Sequence, residues 1–276
     1  MDTPLLDYTR LDRAEVSRHW AKAKLQPVFN GLIRAFYEAV LTPGAAAIDV
    51  GVHYGHHLFP MRDCVGESGI VFGIEANVER YVAIQKRIAN RNLINVHLLN
   101  VAASDTQRVA DFYVNMTHTG RSGLRDNRAN ENDDVRKLSV YTVPISSVIP
   151  RSIAPAFIKI DIEGAEFPAL VGAKDVMMRG GAIVVFEGRL ATTAPQFGFS
   201  ARDVEAFAKD IDYAMFDFFG NAMAHGSETD GIGWNYVLCP NDAARRARVA
   251  GGLTEAWLKV LAAEKSQKDG AAEEAG

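Results

Sequence analysis

The chain lacks most of what would staple it covalently or take it out of water. It has only two cysteines, Cys64 and Cys239, far apart and in no CxxC or Cys/His cluster, so neither a disulfide framework nor a zinc site is suggested and both are expected as buried thiols. No apolar run approaches the roughly 18 residues of a membrane span. The opening residues, Met1 to Trp20, alternate charges without the basic, apolar and small-residue succession of a secretion signal, and a cytoplasmic location is expected. Positive charge is also not in excess. With 30 basic residues against 34 acidic and a formal charge of −4, the chain has no field to hold a polyanion, so nucleic acid is not an expected partner.

What is present is an ordinary globular composition, 48% apolar over 276 residues, enough for one large α/β domain or two small ones. Val28, Leu32, Ile33, Phe36 and Val40 recur at helical spacing, which predicts a helical lead-in over 1–44 that stops at Pro43-Gly44. From 45 to 240 short apolar runs alternate with helical stretches, the pattern of βαβ units around a mainly parallel sheet. Strands are expected at 46–50, 70–75, 96–99, 156–161, 182–187, 213–218 and 235–238. A polar stretch at 115–137, flanked by possible strands at 111–114 and 138–143, reads as a lid or loop insertion too short for a core of its own. Over 241–276 a last helix is expected at 254–264, followed by a frayed tail from Lys265.

The chemistry concentrates at the ends of the expected strands. The first strand ends in Asp49 and runs into a turn containing Gly51 and Gly55, where a backbone without Cβ atoms lets a ligand approach. The second ends in Glu75, followed by Ala76, at the position that faces ribose hydroxyls in Rossmann-like units. A dinucleotide turn would be expected to show GxGxxG, whereas Gly51 and Gly55 are separated by Val52-His53-Tyr54. Asp49 beside the turn disfavours a phosphate and tolerates an ammonium or sulfonium, which points to S-adenosylmethionine. His53 is expected to line that pocket; His53, His56 and His57 fan out around the turn and make a poor metal set. After the third strand, small residues leave room for a flat heterocycle and Ser104 and Asp105 offer hydrogen bonds to it. The densest acidity is at Asp161, Glu163 and Glu166, where part of it has a bland reason, since Glu at a helix start complements the helix dipole.

The run Ile158-Lys159-Ile160-Asp161-Ile162-Glu163-Gly164-Ala165-Glu166 resembles the signature of the FkbM family of methyltransferases. The earlier Ile48-Asp49-Val50-Gly51, Gly73-Ile74-Glu75-Ala76-Asn77 and Ala102-Ala103-Ser104-Asp105 fall in that family's order. The resemblance implies a Rossmann-like seven-stranded sheet, S-adenosylmethionine as methyl donor, and O-methylation of a sugar, glycan or polyketide-type acceptor. It places Asp49, Gly51 and Gly55 at the methionine end, Glu75 at the ribose, Ser104 and Asp105 near adenine, and Asp161 at the methyl-transfer site. The bulky Val52-His53-Tyr54 departs from the small residues usual there. Asp161, Glu163 and Glu187 are the candidate general bases. Alternatively Asp161 and Glu187 hold a divalent metal. His118, Arg121, Ser122 and Arg125 in the insertion, and Arg189 after Glu187, are candidates for touching the acceptor. Two rival functions stay open at this point, a nicotinamide-dependent oxidoreductase and a non-catalytic S-adenosylmethionine-binding module. An oligomer is also possible.

Overall fold

In the computed structural model, which describes residues 5–22, 26–188, 190, 194–222 and 234–273, the alternating apolar runs form a sheet between two helical layers. Its strands are β1 (Ala46–Val50), β2 (Ile70–Ile74), β3 (Val96–Leu99), β4 (Ala102–Ala103), β5 (Arg108–Asn115), β6 (Val135–Val143), β7 (Phe157–Ile160), β8 (Ile183–Glu187), β9 (Tyr213–Asp217) and β10 (Asn235–Pro240). The helices are α1 (Arg13–Lys22), α2 (Gln26–Val40), α3 (Leu58–Val65), α4 (Val78–Asn90), α5 (Ile145–Val148), α6 (Glu166–Gly180), α7 (Ala201–Asp210) and α8 (Ala243–Glu273). The main sheet has seven strands in the order β3-β2-β1-β7-β8-β10-β9. Only β10 runs against its neighbours. The seven expected strands are the seven of this sheet.

Strand alternation sends Ala47, Phe157, Val185 and Val237 to one face, against Phe36 of α2 and Trp257 of α8. Ile48, Ile158, Val184 and Leu238 go to the other, against α5, α6 and α7. Leu32, Ile33, Phe36 and Val40 of the predicted stripe are all buried. Trp257 is fully buried and its indole N–H donates to the Phe218 carbonyl at 2.8 Å, tying α8 to the end of β9.

Two expectations change. The last helix begins at Ala243 rather than 254 and reaches Glu273, through the residues expected to fray, because alanine, arginine, lysine and glutamate are all good helix formers. The stretch 115–137 is also more ordered than a free loop. β5 and β6 pair antiparallel over their whole length in a second sheet, β4-β6-β5, so the insertion is the tip of a hairpin. That tip is pinned by a bridge between Tyr113 and Gly123 and by Asn115 donating to Asp133 at 2.9 Å. Cys239 is buried, Cys64 only partly, and both are free. No described helix is long and apolar enough to cross a membrane.

Candidate active site

Between β1 and β7 the strand order turns back on itself, and the crevice at the carboxyl ends of these strands is where open α/β sheets take ligands. Register sets out what lies there. Asp49 pairs with Lys159, and by the two-residue alternation Glu75, Gly51, Asp161, Glu187 and Asn235 form the next row outward on the same face. A cavity of about 600 Å³ opens above this row, closed on the opposite side by the hairpin tip. Its size suits a nucleoside with a small acceptor beside it.

Gly51, His53, Glu75, Ala76, Asp161, Glu163 and Glu187 all line that cavity. Gly51 has φ +84, and a Cβ there would lie 1.8 Å from the Asp161 carbonyl oxygen, so only glycine lets the first turn sit against the end of β7. Glu75 is buried, and its two oxygens accept the backbone N–H groups of His53 at 2.7 Å and Asn77 at 2.8 Å. Each oxygen keeps a further lone pair for a ligand hydroxyl. His53 also reaches across the cavity, its Nε2 lying 3.1 Å from Thr119 Oγ1 of the hairpin tip. From that tip, His118, Arg121 and Ser122 line the cavity wall, while Arg125 stacks over Phe197.

Four predicted residues are placed elsewhere. Asp49 is 1% exposed and lies one pleat beneath the cavity floor. Gly55 packs on helix α3, where a Cβ would meet the Phe59 ring at 2.6 Å. Ser104 is buried and spends its N–H on Val143 and its hydroxyl on Asp105. Asp105 is exposed, and it is Ala102 and Ala103 just before it that border the cavity. Arg189 lies outside the described residues.

The acidic turn is built with strain. Glu163 has φ +60, a left-handed conformation that costs a non-glycine residue on the order of 1 kcal/mol or more. Glu166 holds it: one buried carboxylate oxygen accepts the N–H groups of Ile162 at 3.1 Å and Gly164 at 3.0 Å. Glu166 is therefore a clamp on the turn as well as part of the cavity lining, and burial pushes its carboxyl up to about 7. Burial raises Glu187 well above the carboxylate range, with Asp161 and Glu163 adding like charge. Burial likewise raises Asp49 to about 7, only partly opposed by Lys159. Burial lowers His53 to about 4 and His57 to about 2, so both are neutral at physiological pH.

Lys159, given no role from the sequence, is the residue that reading missed. It is 3% exposed, and its Nζ lies 3.0 Å from Asp161 Oδ2. Burial pulls its ammonium down, but Asp161 and Asp49 more than offset this and leave it above its usual range. A charge in the middle of the apolar run Phe157-Ile158-Lys159-Ile160 was a visible signal, since a lone buried cation must be paired. The same ammonium weakens the metal alternative, because a dication at Asp161 and Glu187 would sit beside a fixed positive charge. Among the described residues no group of three or more His, Cys, Asp or Glu is arranged to hold a metal ion.

A family model for the methyltransferase FkbM domain matches residues 49–214, more than half of the chain. No curated protein matches significantly. Among solved structures, the methyltransferase FkbM from Methylobacillus flagellatus KT is 15% identical with a TM-score of 0.44, over 70% of this chain but only 43% of its own length. A SAM-dependent methyltransferase from Aquifex aeolicus is 13% identical over 83% of this chain and 97% of its own, with a TM-score of 0.41. A SAM-dependent O-methyltransferase from Thermotoga maritima is 14% identical over 78% and 66%, with a TM-score of 0.42. These likenesses are distant, and the assignment rests on the family match.

Proposed function

The chain belongs to the FkbM methyltransferase family, whose methyl donor is S-adenosylmethionine, and on that premise we propose that it methylates a hydroxyl oxygen of a sugar, glycan or polyketide-type small molecule. The observation that carries this reading is the carboxylate wall of Asp161, Glu163 and Glu187 on the cavity, opposite the hairpin tip. An alcohol is barely acidic, so transfer to it needs a base within reach of the proton as well as in-line approach. When bound, the donor supplies an electrophilic methyl on a sulfonium.

Within the site, Glu75 would hold the ribose hydroxyls and Ala76, Ala102 and Ala103 would leave space for the adenine. Gly51 and His53 would follow the methionine end with their backbone. Asp161 has one oxygen committed to Lys159, which leaves the other to face the sulfonium. Glu187 has no cation in hydrogen-bond contact among the described residues and is raised by burial, so it is the better acceptor for the hydroxyl proton. Glu163 stands beside it in the strained turn.

The test has two stages. S-adenosylhomocysteine is expected to raise the melting temperature and NAD to leave it unchanged; the reverse would favour the oxidoreductase reading. Incubation with methyl-labelled donor and extracts of metabolites and glycans is then expected to label an acceptor that gains 14 daltons, as a methylated hydroxyl does. Donor binding with no labelled acceptor in any pool would favour the non-catalytic module.

A further inference from the structure

Two guanidiniums on the cavity wall take no part in the chemistry above. Arg80 comes from α4 and Arg121 from the hairpin tip, and both line the cavity. Arg80 lies over the Tyr54 ring, 4.1 Å from its centroid. Tyr54 in turn packs on His53, ring centroids 4.2 Å apart, and His53 Nε2 lies 3.1 Å from Thr119 Oγ1. Thr119 opens the short helical turn Thr119–Arg121. This chain of neighbours sets both cations along one stretch of wall, where the Tyr54 ring opens to solvent. Neither is in an ion pair among the described residues, and the pair within the cavity, Lys159 with Asp161, uses neither. Glu75 is within electrostatic reach of Arg80, but its two oxygens already accept the His53 and Asn77 N–H groups. Arg80 Nε is itself buried with no hydrogen-bond partner among the described residues. A buried donor without an acceptor is costly, whereas a guanidinium edge meets a carboxylate or phosphate with two parallel bonds.

We infer that Arg80 and Arg121 form an anion subsite in the cavity, which takes a carboxylate or phosphate group of a substrate bound there. For the identity of that substrate the inference rests on the methyltransferase reading proposed above; the subsite itself rests on the two side chains. Such a group has two sources. One is the α-carboxylate of the donor's methionyl end, and the other is an acidic acceptor, a uronic acid or a sugar phosphate. In either case the two cations select by charge, and His53 between them, neutral at physiological pH, adds none of its own.

Inorganic phosphate is the probe. It would be titrated into the full chain at constant ionic strength and followed by phosphorus NMR, with the chain alone, with saturating S-adenosylhomocysteine, and with the decarboxylated form of that nucleoside. Phosphate is expected to bind the wild-type chain alone. R80M and R121M should each weaken it by about fivefold or more, and R80M/R121M should abolish binding. If R80M does not fold, R121M and R80K decide, the latter keeping the charge but losing the planar fork and weakening phosphate by about threefold. Phosphate that still binds beside S-adenosylhomocysteine supports the subsite and assigns it to an acidic acceptor. Phosphate displaced by S-adenosylhomocysteine but not by its decarboxylated form supports the subsite and assigns it to the donor's carboxylate. Displacement by both nucleosides alike would overturn the inference, since the cations would then lie within the nucleoside's own footprint. So would phosphate that does not bind the chain alone, or that binds R80M/R121M as it binds wild type. S-adenosylhomocysteine that fails to bind would remove the donor reading, and the titration of the chain alone would still decide the subsite.

Discussion

Asp49 is almost wholly buried and, among the described residues, its carboxylate oxygens have no hydrogen-bond partner beyond a weak approach of the Leu58 backbone N–H, and this gives its titration a thermodynamic consequence. Its folded value of about 7 lies above the ordinary value of 3.8. Between those values the folded chain binds a proton that the unfolded chain does not, so this group costs stability above about pH 7 and the cost fades as pH falls. Asp49→Asn should therefore stabilise the protein at about pH 8, on the order of 1–2 kcal/mol or roughly 2–8 °C in Tm, and lose more than half of that advantage by about pH 5. Thermal unfolding at the two pH values checks it, and a gain independent of pH would contradict it. Glu187 leads to a kinetic prediction of the same kind. As a base it must be unprotonated, so kcat/KM should fall on the acid side at a pH well above the usual carboxylate range, and Glu187→Gln should lose both that limb and about 100-fold in kcat. A pH profile with any acceptor identified by labelling decides it.

Among the elements, the turn between β7 and α6 is the one that stores strain. Glu166→Ala leaves the Ile162 and Gly164 N–H groups without their acceptor and releases the left-handed Glu163, a loss of about 2–3 kcal/mol measurable by urea unfolding. The loss should be smaller with Glu166→Gln, whose amide oxygen can still accept. The contact between His53 and Thr119 is the element-scale counterpart on the cavity's other side, joining the glycine turn to the hairpin tip. Thr119→Val keeps the shape and removes that hydrogen bond. It should speed dissociation of S-adenosylhomocysteine by about fivefold in stopped-flow measurements, in keeping with about 1 kcal/mol for a neutral hydrogen bond, with little change in Tm. At this scale the strands were legible because their apolar residues recur in short runs bounded by turn residues. The hairpin was only half legible: Phe112 and Val114 mark β5, but Ser139 and Tyr141 of β6 alternate on a largely solvated face, where pattern carries little energy.

For the molecule as a whole, ligand and fold should be linked. Saturating S-adenosylhomocysteine at about 100 times its Kd should add about 2.7 kcal/mol to unfolding stability. Glu75→Gln, which keeps the oxygen for one backbone N–H but loses charge at the ribose position, should cut that gain by weakening binding about tenfold. The order of apolar strands, the glycine turn, Glu75 and the acidic run were determined by the sequence itself, because each is a local matter of periodicity, of absent side chains or of an acid at a strand end. Only the tertiary structure decided which acids reach the cavity. Asp49 and Asp161 both stand at the ends of apolar strands in the sequence, yet register places one under the floor beside Lys159 and the other on the wall. The same pairing turned Lys159 from an unremarked letter in a motif into the partner of Asp161. Strand register and the covering of one sheet face by helices depend on residues far apart in the chain, and it is burial by those distant residues that sets which charges are paired, shifted or left to meet a ligand.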